Sequence, residues 1–154
     1  MEASDVIVLR GSLRHLLTDL SGKYIKEWVQ ENLVVTVGRS WVLGQLISTN
    51  QITSQNIGWI AVGSGVVAPT TGDSALGNEV KRNAVSSFAT SGLTNNPPSW
   101  QAQVVFATSD ANTTLGEVGL FNSNSGGTMI ARQTIATFVK ATSNTYSISW
   151  TISG

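Results

Sequence analysis

The sequence predicts a mainly β domain: a compact antiparallel β-sandwich or barrel-like fold with one or two short helices and an extended N-terminal arm. Two observations favour this class. Apolar and polar residues alternate over 100–107 and over 146–153, which is the period of a half-buried strand. Turn-forming runs rich in Gly, Asn, Ser and Pro separate the other apolar stretches, as at 63–73, 95–99 and 123–127.

Apolar spacing predicts helices at three places. The segment 36–47 can begin at Thr36 and carries one apolar stripe that includes Trp41. The segment 74–82 follows Asp73, which is placed to cap it. The segment 12–20 carries four leucines at helical spacing.

The chain divides by character into residues 1–35, predicted to be an N-terminal arm and extended segment, and residues 36–154, predicted to be the β-rich body. The first part carries large apolar side chains without a clear inner face, which is typical of a segment that packs on a neighbouring subunit. We therefore expect other chains to bury its apolar residues, namely Val6, Val8, Leu13, Leu16, Leu17, Leu20 and Trp28.

Composition limits the partners. Of 154 residues, 41% are hydrophobic and only 12% are charged, and nine basic residues balance nine acidic ones. The chain is therefore not expected to have an electrostatic field that attracts nucleic acid or an anionic membrane. No run approaches the roughly 18 apolar residues of a membrane span. The acidic start of the chain is unlike a signal peptide, so we expect a chain that is made in the cytoplasm and is not exported.

Reactive groups are scarce, and the sequence predicts a protein that is not an enzyme and needs no metal, cofactor or small-molecule substrate. Cysteine is absent, and no lysine follows Gly63-Ser64-Gly65 as a phosphate loop requires. His15 is the only histidine, and it is expected to be solvated or at an interface. Two glutamates in the body could form an acid/base pair, but structural ion pairs with arginine are favoured. The residues concerned are Glu79, Arg82, Glu117 and Arg132.

Five tryptophans raise the possibility of a carbohydrate-stacking platform. Trp41, Trp100 and Trp150 fall on apolar faces and are expected in the core. Trp28 and Trp59 are the remaining candidates for contact with a glycan.

Five sequence blocks occur in an order that resembles a family of small virion proteins of tailed bacteriophages. The blocks are 32–39, 60–70, 75–82, 117–122 with 126–132, and 147–152. The similarity covers roughly residues 23–154. Within that family the chain is most similar to the capsid decoration, or cement, proteins of long-tailed phages.

This resemblance implies a homotrimer on the outside of the phage head, bound to the major capsid protein and stabilising the expanded capsid. It also implies an N-terminal arm that reaches a neighbouring subunit. Two alternatives stay open: a tail, collar or fibre-base component of the same virion, and a carbohydrate-binding module.

Overall fold

The fold is described from a computed structural model, which covers residues 8–47, 56–95 and 97–154. The chain is mainly β, with one α-helix in these ranges and a short 3-10 turn at Ser91–Thr94. In chain order, the elements are β1 (Arg10–Asp19), β2 (Tyr24–Val34), α1 (Thr36–Ile47), β3 (Trp59–Gly63), β4 (Glu79–Ala84), β5 (Ser87–Ala89), β6 (Ser99–Phe106), β7 (Thr114–Phe121), β8 (Met129–Val139) and β9 (Asn144–Ser153).

All nine strands belong to one antiparallel sheet in the order β4-β3-β7-β8-β2-β1-β9-β6-β5. The sheet curls into a half-barrel. Its weakest pairing is between β2 and β8, which are matched at Leu33 and Val34 alone among the described residues. The two ends of the sheet approach each other where the Asn83 side-chain amide on β4 donates to the Val105 carbonyl on β6 at 3.2 Å.

The concave face holds the main core. Every second residue of β1, β6 and β9 points inward, as the strand period requires. The alternation predicted for β6 and β9 is therefore confirmed, and Trp150 is fully buried while Trp41 and Trp100 pack against the same core. The main core consists of residues from β1, β2, β3, β6, β7, β8 and β9, including Leu13, Leu17, Val34, Ile60, Val104, Phe106, Leu115, Val118, Ile130, Tyr146, Ile148 and Trp150.

A second, smaller cluster lies on the convex face of β3, β7 and β8. It comprises Val35, Ala61, Leu76, Phe121 and Met129, with Trp59 packed against them. Leu76 belongs to the loop that joins β3 to β4, so this loop covers the sheet. All residues from Leu115 to Phe121 of β7 are consequently buried, so both faces of β7 are covered.

The prediction that residues 1–35 form an N-terminal arm is wrong for the part of this segment that the structure describes. β1 lies between β2 and β9 in the middle of one half of the sheet, so residue 35 is not a domain boundary. Leu13 and Leu17 are buried by their own chain. Leu16 is half-buried, whereas Val8 and Leu20 are exposed, so their burial by another chain stays a prediction. Val6 lies outside the described residues.

Two predicted helices are wrong. The segment 12–20 is strand β1 because His15 is buried and completes an inward row with Gly11, Leu13 and Leu17. The segment 74–82 ends in strand β4, since the backbone amides of Gly77 and Asn78 bind a side chain of β7 instead of forming helical hydrogen bonds. The helix predicted at 36–47 is confirmed.

Candidate functional site

A buried carboxylate lies at the centre of the convex layer. Glu117 on β7 has no exposed surface, and its two oxygens accept five hydrogen bonds. Oε1 accepts from the backbone amides of Gly65 at 3.0 Å and Asn78 at 2.7 Å. Oε2 accepts from the Gly77 amide at 2.9 Å and twice from Arg132. The carboxylate therefore fastens both ends of the β3–β4 loop to the sheet.

Arg132 on β8 extends this network toward the surface. Its Nη1 donates to Oδ2 of Asp73 at 2.6 Å, and its Nη2 donates to the Val67 carbonyl at 3.1 Å as well as to Glu117. Asp73 in turn accepts from the amide and the hydroxyl of Thr70. Asp73 therefore closes a turn of the loop and does not cap a helix. We call Glu117, Arg132 and Asp73 with their backbone donors the Glu117 network.

The electrostatics of the network favour the charged forms. Burial raises the pKa of Glu117, but hydrogen bonds from Asn78, Gly77 and Arg132 outweigh it, and the net pKa is lowered. Hydrogen bonds from Thr70, followed by Arg132, lower the pKa of Asp73. Burial lowers the pKa of Arg132, and its two carboxylate partners more than reverse this. The network is a satisfied structural ion cluster without a free proton donor or acceptor for catalysis.

A second ion pair lies at the edge of the sheet. Both terminal oxygens of Glu79 accept from Arg82, at 2.9 and 2.6 Å. Arg82 also donates to the carbonyls of Ser123 and Gly126 and lies 3.6 Å from the ring centroid of Phe121. The turn between β7 and β8 is thereby tied to β4.

The predicted structural ion pairs, Glu79 with Arg82 and Glu117 with Arg132, are confirmed. The two glutamates do not share a cleft. Gly63 on β3 pairs with both, so they lie two strands apart, about 10 Å at the usual strand spacing. Each glutamate forms an ion pair with its own arginine.

His15 occupies a different position from the one predicted. It is buried rather than solvated, and its ring stacks near those of Trp28, at a centroid distance of 4.6 Å, and Tyr146, at 5.9 Å, which are themselves 6.1 Å apart. Its Nδ1 is 2.6 Å from the Tyr146 hydroxyl. Burial lowers the pKa of His15 from 6.5 to about 3, so the imidazole is neutral at physiological pH.

Neither tryptophan proposed for a sugar platform offers a free ring. The Trp28 ring is stacked on His15, contacts the edge of Phe138 and has the Lys26 ammonium 4.7 Å above it. Trp59 packs against the second hydrophobic cluster. Core side chains contact both partly buried residues, and a carbohydrate platform on Trp28 and Trp59 stays a prediction.

β2 lies between β1 and β8, but most of its β8 side lacks backbone pairing and is bridged by side chains, as where Gln30 donates to the Thr134 carbonyl at 3.2 Å. This part of β2 carries a group of exposed apolar side chains. β2 pairs with β1 along its length but leaves residues 24–32 unmatched on the β8 side. Tyr24 is 64% exposed, Ile25 52% and Val29 67%, and Leu20 in the preceding turn is 74% exposed. Such an edge can pair with a strand of another chain. We call residues 20–31 the β2 edge.

Sequence reasoning missed several polar groups that the fold brings together. Lys140 is buried and donates to the Ala107 carbonyl at 2.6 Å and to Asn112 at 3.1 Å. The turn that follows β6 is held by Asp110, which accepts from the amide of Ala107 and from the side chain of Asn83. In the sequence, Lys140 stands at the end of an otherwise β-forming segment, and nothing there indicates that it is buried and hydrogen-bonded.

Among the described residues, no three His, Cys, Asp or Glu side chains are grouped as a metal site would require. In the same part of the chain, no helix is both long and apolar enough to span a bilayer. Compared with models of protein families, with curated proteins and with solved structures, the chain gives no match.

Proposed function

We propose that this chain is a non-catalytic structural protein of a tailed-bacteriophage virion. Specifically, we propose a homotrimeric capsid decoration protein that binds the outside of the head and cements neighbouring major capsid protein subunits. The sequence resemblance motivates the proposal, and one structural observation carries it furthest. Four of the five blocks that form the resemblance converge in space on a scaffold rather than on a reactive centre, and the fifth, 147–152, lies in β9.

The convergence is specific. Block 60–70 supplies the Gly65 amide, block 75–82 supplies the Gly77 and Asn78 amides, and blocks 117–122 and 126–132 supply Glu117 and Arg132. Block 32–39 adjoins them, since the Thr36 amide donates to the Thr71 carbonyl at 2.8 Å. A shared scaffold in which each charged group is paired and hydrogen-bonded is what a structural subunit needs.

The β2 edge is the candidate contact surface. It combines unmatched main-chain groups with exposed apolar side chains, and both features suit the addition of a neighbour's strand. β4, an edge strand of the sheet, carries Glu79, Lys81 and Arg82, and these charges disfavour such pairing there. In this proposal the β2 edge takes the role that the resemblance assigns to an arm.

The proposed mechanism uses binding energy alone. A protein that binds the assembled shell and not its dissociated subunits stabilises the shell by mass action. Repetition over many equivalent sites lets modest contacts add up. The low overall charge makes the contact largely independent of salt.

The test is the binding of the purified full chain to expanded heads that lack it, imaged by cryo-electron microscopy. We expect density at three-fold positions, reduced at least tenfold in occupancy by Ile25→Lys with Val29→Lys. Val105→Lys, at an exposed position on β6, is the matched control and should bind normally. Heads that remain bare with the wild-type chain would contradict the capsid proposal, and co-purification with tails would support the tail, collar or fibre-base alternative.

A further inference from the structure

Three adjoining cavities lie on the convex face of the sheet, at the end where β1 begins and β9 ends. The first, of about 410 Å³, is lined by residues that include Ser99, Gln101 and Thr151. The second, about 220 Å³, and the third, about 280 Å³, share Arg10 and Ser153. Ser153 pairs with both Ser99 and Arg10, so the cavities join into one depression.

The register of the strands determines which side chains lie next to one another in this depression. Ala89, Gln101, Thr151, Ser12 and Glu31 are consecutive partners across β5, β6, β9, β1 and β2, and their side chains share the convex face. Four strand spacings of about 4.8 Å make the row about 19 Å long. We call this row, with Arg10 and Ser153, the convex groove.

The chemistry of the groove is neutral and rich in hydrogen-bonding groups. Between its ends it presents hydroxyls and one amide, and charge occurs only where Arg10 and Glu31 lie. One cation is too few to hold a polyanion such as nucleic acid. Polar residues outnumber the apolar ones, Ala89, Trp100, Val8 and Pro97, among those that line the three cavities, whereas the core of a protein–protein interface is apolar.

The central groups are held in a fixed orientation before any ligand binds. Nε2 of Gln103 donates to Oε1 of Gln101 at 2.9 Å, and Nε2 of Gln101 donates to the Thr151 hydroxyl at 3.1 Å. One N–H of Gln101 and the hydroxyl proton of Thr151 remain available for a ligand. Preorganised donors lose little conformational entropy when they bind.

We propose that the convex groove binds a neutral glycan chain several sugar units long. The sugar hydroxyls exchange hydrogen bonds with Gln101, Thr151 and Ser12, and Arg10 and Glu31 hold one end of the chain. This site shares only Glu31 with the β2 edge and involves neither tryptophan considered above, and it would add cell-surface recognition to the proposed structural role.

The test uses the purified full chain without phage heads, so its outcome does not depend on capsid binding. The probes are an array of neutral oligosaccharides and neutral bacterial polysaccharides, followed by titration calorimetry on the bound glycans. We expect binding that the double variant Gln101→Ala, Thr151→Ala weakens by about tenfold or more, as lost hydrogen bonds should. Ser147→Ala, on the same face of β9 but outside the cavities, should leave the affinity within twofold.

Three results would overturn the proposal. The first is no glycan binding at millimolar concentration. The second is binding that the double variant, shown to be folded by its thermal melt, does not change. The third is loss of head binding in the double variant without any glycan binding, which would assign the groove to a protein partner.

Discussion

Nε and Nη2 of Arg132 both donate to Oε2 of Glu117, at 3.0 and 2.8 Å, which leaves Oε1 to the backbone amides of Gly65 and Asn78. The two charges thus neutralise each other while the carboxylate still holds the β3–β4 loop. Removal of Arg132 leaves the buried Glu117 carboxylate without a counter-charge, whereas removal of Glu117 leaves Arg132 paired with Asp73 alone.

Glu117→Gln keeps the size of the side chain but removes its charge. We expect it to lower the free energy of unfolding by about 3–5 kcal/mol, as measured for broken buried ion pairs. Urea denaturation at pH 7 measures this. Glu79→Gln, at the more exposed pair, should cost about 1 kcal/mol or less. Equal effects of the two variants would contradict the assigned role of the network.

Two glycine substitutions should change the stability of the fold in opposite directions. A Cβ on Gly65 would overlap the Glu117 carboxylate, so Gly65→Ala should destabilise the fold by about 1–3 kcal/mol. A Cβ on Gly44 in α1 meets no atom within 4 Å, so Gly44→Ala should stabilise the helix by up to about 1 kcal/mol. Thermal unfolding followed by circular dichroism compares them, and a stable Gly65→Ala would show that the loop can separate from Glu117.

The ion pairs were predictable from sequence because a glutamate and an arginine in apolar strands must find partners. The remaining members were not predictable. Gly65, Gly77 and Asn78 act through backbone amides, and a backbone donor leaves no trace in residue type. Asp73 precedes a segment with helical spacing, so capping was the natural local interpretation, whereas its actual partner is 59 residues away.

The misassignment of β1 has a single physical source. Leu13, Leu16, Leu17 and Leu20 fit a helix, and the strand pattern depends on counting His15 as an inward residue. A histidine is usually counted as polar, but here burial keeps it neutral and the rings of Trp28 and Tyr146 enclose it. Those rings come from β2 and β9, so only the tertiary fold reveals the alternation.

Leucine truncations distinguish a core strand from an arm. Leu13→Ala should lower the free energy of unfolding of the purified chain by about 2–5 kcal/mol, because Leu13 is fully buried within its own chain. Leu20→Ala should change it by no more than about 0.5 kcal/mol, since Leu20 is exposed. Chemical denaturation measures both. If the isolated Leu13→Ala protein were as stable as wild type, the result would support the prediction that this segment is an arm buried by other chains.

His15 should make the fold sensitive to acid. Its pKa is about 3 in the folded protein and about 6.5 in the unfolded chain, so the unfolded chain binds more protons between these values. Stability is therefore complete above pH 6.5 and decreases as the pH falls. The expected loss between pH 7.5 and pH 5 is about 2 kcal/mol, from about 1.4 kcal/mol per pH unit.

This window separates His15 from the other titrating groups. Asp73 and Glu117 have lowered pKa values, so their contributions are lost only below the unfolded carboxyl pKa, near pH 4. Tyr146, whose pKa burial raises, stays neutral throughout. Urea denaturation from pH 7.5 to 5 should show the slope in the wild type and no slope in His15→Phe. The phenylalanine variant loses stability at every pH because the Tyr146 hydroxyl loses its partner. The change of the unfolding free energy with pH, and not its value at one pH, therefore shows whether His15 is the titrating group. A slope that persists in His15→Phe would place the titrating group elsewhere.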